Sequence, residues 1–66
     1  MNHFIEVKDS VGNIYTINSN HVVYIKPHPS NKGYSVVVLA TGSSLTIHQE
    51  YSLLVTQWKE SLANTN

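Results

Sequence analysis

Apolar residues in the first fifty positions recur in short runs with a period near two, broken by clusters of Gly, Asn, Ser and Pro. That pattern is the signature of successive β-strands, whose side chains alternate between two faces. Five strands are predicted, at about residues 3–9, 14–18, 21–26, 34–41 and 45–48. The first sets Ile5 and Val7 against Phe4, Glu6 and Lys8 and runs into Ser10-Val11-Gly12-Asn13. Gly12-Asn13 can supply the positive backbone angles of a tight hairpin, so the first two strands should pair antiparallel. Asn18-Ser19-Asn20 is a turn by composition, and the HVVYIK run after it reads as a third strand rich in β-branched and aromatic residues. Residues 27–33 form the longest irregular stretch, with each proline pushing its predecessor into extended geometry. An exposed, mobile loop is expected there, with His28 and Lys32 as candidate contact residues. From Glu50 the period becomes helical. Tyr51, Leu54, Val55, Trp58 and Leu62 fall at spacings of three and four, predicting an amphipathic helix over about 50–62.

The expected fold class is therefore α+β, mostly β. An antiparallel sheet or small barrel of about five short strands is closed by one C-terminal helix, in a single domain spanning residues 1–66. One strand departs from clean alternation. Residues Val36 to Leu39 are apolar on both faces, so covering one face with the helix leaves the other in need of a cover. In so short a chain the sheet must curl into a barrel, or another copy must supply that cover. Leu53 points the same way, because at 100 degrees per residue it falls almost opposite the apolar stripe of the helix. An interface using Leu53 and one face of this strand, represented by Val37 and Leu39, is the expectation, with His28 and Lys32 contributing from the loop.

Composition narrows the possibilities. A chain of 66 residues buries only about 60% of its unfolded surface, so its stability is marginal and outside support is useful. It has no cysteine, which removes disulfides, thiolate metal sites and thiol chemistry. Lys8, Lys26, Lys32 and Lys59 balance Glu6, Asp9, Glu50 and Glu60, and arginine is absent. Four scattered lysines make a weak phosphate-binding footprint, which counts against nucleic acid as a partner. No apolar run approaches the length of a membrane span, and the opening residues mix charge with apolar groups, unlike a secretion signal; a cytoplasmic protein is expected.

Candidate chemistry is thin. His3, His21, His28 and His48 lie in four separate segments without ligand spacing, so neither a metal nor any other cofactor is expected. There is no glycine-flanked serine elbow and no phosphate-cradling loop, and Asp9 beside a turn reads as a capping side chain rather than a catalytic one. Phe4, Tyr15, Tyr24 and Tyr34 could stack bases, but cross-strand packing accounts for them more simply. Trp58 reads as the anchor of the helix on the sheet. Together these features describe a non-catalytic binding or regulatory module acting through protein contacts, as a homo-oligomer or on a protein partner, with a nucleic-acid-binding regulator as the alternative.

The order of elements carries a resemblance. Gly12-Asn13-Ile14-Tyr15-Thr16-Ile17-Asn18, then His21-Val22-Val23-Tyr24-Ile25 and Pro27, a valine-rich strand, Gly42 and a short strand leading into a helix together resemble the FlbD/SwrD family of very small flagellar and swarming-associated proteins. More loosely they resemble the β-rich DNA-binding domain of LytTR response regulators. The first resemblance covers about fifty residues and implies a non-enzymatic regulatory role without a cofactor. The second implies DNA binding.

Overall fold

In the computed structural model, which describes residues 3–63, five strands precede one helix: β1 (Phe4–Lys8), β2 (Ile14–Asn18), β3 (Val22–Pro27), β4 (Ser35–Leu39), β5 (Ser44–Ile47) and α1 (Tyr51–Ala63). All pairings are antiparallel. β1 and β2 form one ribbon, and β3, β4 and β5 form a three-stranded sheet with β4 in the middle. The hairpins β1–β2 and β4–β5 turn the same way. In each, an amide three residues on returns to the carbonyl that opens the turn (Gly12 N–H to Asp9, Gly42 N–H to Leu39), and a glycine with positive φ follows the bend. This is the three-residue loop with a bulge, and Gly12 and Gly42, at φ 95° and 94°, supply the left-handed residue it requires. Asn13, expected to share that task, keeps a negative φ.

The core lies where the two sheets and the helix converge. Ile5, Val7 and Ile17 enter it from the ribbon, Val22, Ile25, Val37 and Ile47 from the three-stranded sheet, and Leu54 from the helix. Tyr15, Leu39, Leu45, Val55 and Trp58 pack around them, half-buried. Asp9 and Ile47 form a single bridge, and the His48 amide donates to the Lys8 carbonyl at 2.8 Å, so β1 and β5 meet at one end only. The sheet does not close. The barrel alternative is thereby corrected: the helix fills the opening between the sheets, touching β1, β3 and the 3-10 turn at Ser19–His21.

Several boundaries differ from the sequence reading for local reasons. β4 stops at Leu39, because Ala40 and Thr41 are spent on the hairpin bend. His21 belongs to the 3-10 turn rather than to β3, with Asn18 Oδ1 capping that turn through the Asn20 amide at 2.9 Å. β3 runs through Pro27 opposite Ser35, which an edge strand tolerates because one side of its backbone has no neighbouring strand to hydrogen-bond. In the helix, Leu54, Val55 and Trp58 face inward as expected, whereas Tyr51 and Leu62 lie at the margins and are exposed.

Both ends of the helix are fixed by polar groups. At its start, the buried Ser35 hydroxyl donates to the Gln49 carbonyl at 2.8 Å, and at its middle Gln57 donates to the Glu6 carbonyl at 3.3 Å. Near its end, the Trp58 indole N–H donates to the Ser19 carbonyl at 2.9 Å. The Ser61 hydroxyl donates to the Trp58 carbonyl and accepts from the buried Ser19 hydroxyl at 2.5 Å, while His3 Nδ1 donates to the Ser61 carbonyl at 2.6 Å. Among the described residues no buried side-chain polar atom lacks a partner.

Candidate functional site

The face of the three-stranded sheet turned away from the helix follows from the register. Ile25, Val37 and Leu45 lie opposite one another and point into the core, so the neighbouring cross-strand rows point out. One outward row is Tyr24, Val38 and Ser44; the next is Lys26, Val36 and Thr46. Beyond them, Tyr34 and His48 stack with ring centroids 4.7 Å apart and 14° between planes, and His28 meets the Tyr34 edge at 6.2 Å. The result is a short aliphatic strip rimmed by rings and one lysine. No element of the described chain covers it, and Tyr24 remains 47% exposed. Aliphatic side chains on an uncovered sheet leave apolar surface in water that burial against a partner would remove, at about 25 cal/mol per Å².

The expected site residues are placed unevenly. Val37 is fully buried in its own chain and has no surface to offer, and Leu39 is half-buried against the core. The strand has two apolar faces as read, but the open one belongs to Val36 and Val38. Leu53 is 60% exposed on the outer side of the helix, away from this face. Lys32 is exposed in the loop, and His28 is half-buried against Tyr34, its Nδ1 accepting the Ser30 amide at 3.1 Å. The loop is shaped by its own polar groups: the Asn31 side chain takes the Gly33 amide, and its carbonyl takes the Tyr34 amide. The alternation of Ser44, Thr46 and His48 with Leu45 and Ile47 was legible in β5, but it is the register of the folded hairpin, Val36 opposite Thr46 and Val38 opposite Ser44, that carries it to β4 and sets Val36 and Val38 outside.

No family model, curated protein or solved structure matches the chain.

Charge divides along the same surface. Residues 10–49 contain neither Asp nor Glu, so the three-stranded sheet and its loops carry Lys26 and Lys32 without any acid. All four acids lie in or beside β1 or in and just before the helix. Of these, Asp9 is occupied by the first hairpin, accepting the Val11 and Asn13 amides, the Asn13 side chain and the Tyr15 hydroxyl. Partial desolvation pushes its carboxyl up, but these hydrogen bonds together outweigh it and hold the group below its ordinary value. The hydrogen bond to Asp9, and the negative charge there, push the Tyr15 phenol up.

One shallow cleft of about 320 Å³ lies at the seam of the sheets, lined by Glu6, Val7, Lys8, Ile14, His48 and Gln49. Its charges are of both signs and its apolar floor is small, unlike the mostly apolar pockets that enclose small ligands. Among the described residues no three His, Asp or Glu side chains are grouped to hold a metal ion, and no helix is long and apolar enough to cross a membrane.

Proposed function

We propose that this chain is a small non-catalytic protein-binding module, regulatory in role, that works through the outer face of β3–β4–β5, foremost as a homo-oligomer. The carrying observation is the uncovered strip of Val36 and Val38 beside Tyr24. A non-catalytic role is supported by where the polar chemistry is spent: Asp9 braces a hairpin, and His3, Ser19 and Ser61 secure the helix. The resemblance to FlbD/SwrD proteins supports a regulatory role. Light scattering from micromolar to millimolar protein tests the reading, with rising mass expected in the wild type. In the same series, amide shifts should concentrate on Tyr24, Val36, Val38 and Leu53. A monomer throughout, with no shifts, defeats it.

Nucleic acid is the second reading, favoured by the acid-free face bearing Tyr24, Lys26 and the Tyr34–His48 stack. A phosphate-driven complex with a single strand weakens with salt at a slope of about 0.7 per phosphate contacted, whereas an apolar protein contact hardly responds. Anisotropy of a labelled oligonucleotide at two salt concentrations separates the two.

A further inference from the structure

The outer surface of α1 is the counterpart of the open sheet face. Leu53 lies there with Glu60 and Thr56, all exposed, and the exposed Glu50 precedes the helix. Lys59 lies about a third of a turn away. This helix face is thus an exposed leucine beside Glu60, whereas the sheet face is a half-buried valine strip flanked by the exposed Tyr24 and Lys26, with Lys32 in the adjoining loop. Two sheet faces brought together would oppose lysine to lysine with no acid to offset them. A helix on a sheet face opposes acid to lysine and leucine to valine.

Dimensions agree. The 13-residue helix is about 20 Å long and about 10 Å across. The sheet, three strands wide, offers a strip about 10 Å across and about 17 Å along β4.

We propose that copies of this chain associate head to tail, the outer face of α1 in one copy packing on the outer face of β3–β4–β5 in the next. This rests on the self-association proposed above and specifies its geometry. Because the two surfaces differ, the contact is heterologous, and it grows as a chain of copies or closes as a ring instead of stopping at a two-fold dimer.

Two variants of the full chain separate the faces. Leu53→Glu blocks the helix side, and the double variant Tyr24→Glu, Lys26→Glu blocks the sheet side; all these residues are exposed, and circular dichroism confirms that each variant folds. Each alone should associate about tenfold or more weakly than the wild type, a loss measured by light scattering. Mixed, they should form a one-to-one pair and nothing larger, because the intact sheet of one meets the intact helix of the other. A third variant, Lys26→Glu with Glu60→Lys, should recover association lost by Lys26→Glu alone. A wild type that stays monomeric overturns both this geometry and self-association itself. A wild type that assembles, with a mixture that stays monomeric or variants that assemble undiminished, overturns the geometry and leaves self-association standing.

Discussion

At the scale of single residues, Asp9 shows how a charge can serve a turn. Its carboxylate gathers two amides, a carboxamide and a phenol from residues within six positions. Because its folded pKa is held below the ordinary value, ionisation favours the folded state. That contribution is present above the unfolded pKa and is lost as pH falls through the folded one. Chemical denaturation followed across the acidic range should therefore show stability declining in that window. Asp9→Asn should reduce the decline and lower the midpoint at neutral pH; an unchanged acid profile would show that the hairpin does not depend on this charge. Trp58 is the other residue with a double role, packing against the core while its indole binds the Ser19 carbonyl. Trp58→Ala should cost about 3 kcal/mol, the lower end for a large aromatic because the ring is only half-buried. Trp58→Phe keeps most of the ring and should cost about 1 kcal/mol for the hydrogen bond. A melting temperature unchanged in the alanine variant would show that the helix is held by something else.

At the scale of elements, the helix and the hairpins yield opposite kinds of sensitivity. Leu54 is fully buried and Leu53 is mostly exposed, although they are neighbours. Leu54→Ala should cost about 3 kcal/mol through lost burial and the cavity left behind. Leu53→Ala should change monomer stability by less than about 0.5 kcal/mol, because no core contact is lost. Urea titration of dilute protein measures both, and equal costs would mean that the helix is rotated from the orientation described. In the β4–β5 hairpin, a Cβ at Gly42 would meet open space, so any penalty comes from the backbone alone. At its φ of 94° an L-residue is strained, and Gly42→Ala should cost about 1–2 kcal/mol. A neutral result in the same titration would show that the turn changes type without loss.

At the scale of the whole molecule, two sheets joined by one bridge and a helix enclose a single core. Val37, Ile47 and Leu54, all completely buried, lie at its centre. Amide exchange should be slowest in β4, which is paired on both sides, and fast in residues 29–33, whose hydrogen bonds are local and solvent-exposed. Strong protection across Ser30 to Gly33 in dilute protein would contradict this and point to a partner already seated on the loop.

The period-two runs, the switch to helical spacing after Glu50 and the positions of Gly12 and Gly42 were all legible in the sequence. They are local properties, set by side-chain alternation, by helix pitch and by the freedom of glycine to adopt positive φ. So was the exposure of Leu53, which depends only on its angle around the helix. The two-faced character of Val36 to Leu39 could be read as well, but not which face would be open. That was decided by the helix, whose docking through Trp58, Ser61 and Ser19 selects the side on which Val37 is buried. Whether the sheet would curl shut was equally beyond a local pattern. Closure depends on hydrogen bonding between distant strands, and here β1 and β5 meet at a single bridge while α1 fills the remaining gap. The β4–β5 register set Tyr34 on His48, and that long-range arrangement left Tyr24, Val36 and Val38 together on one uncovered surface.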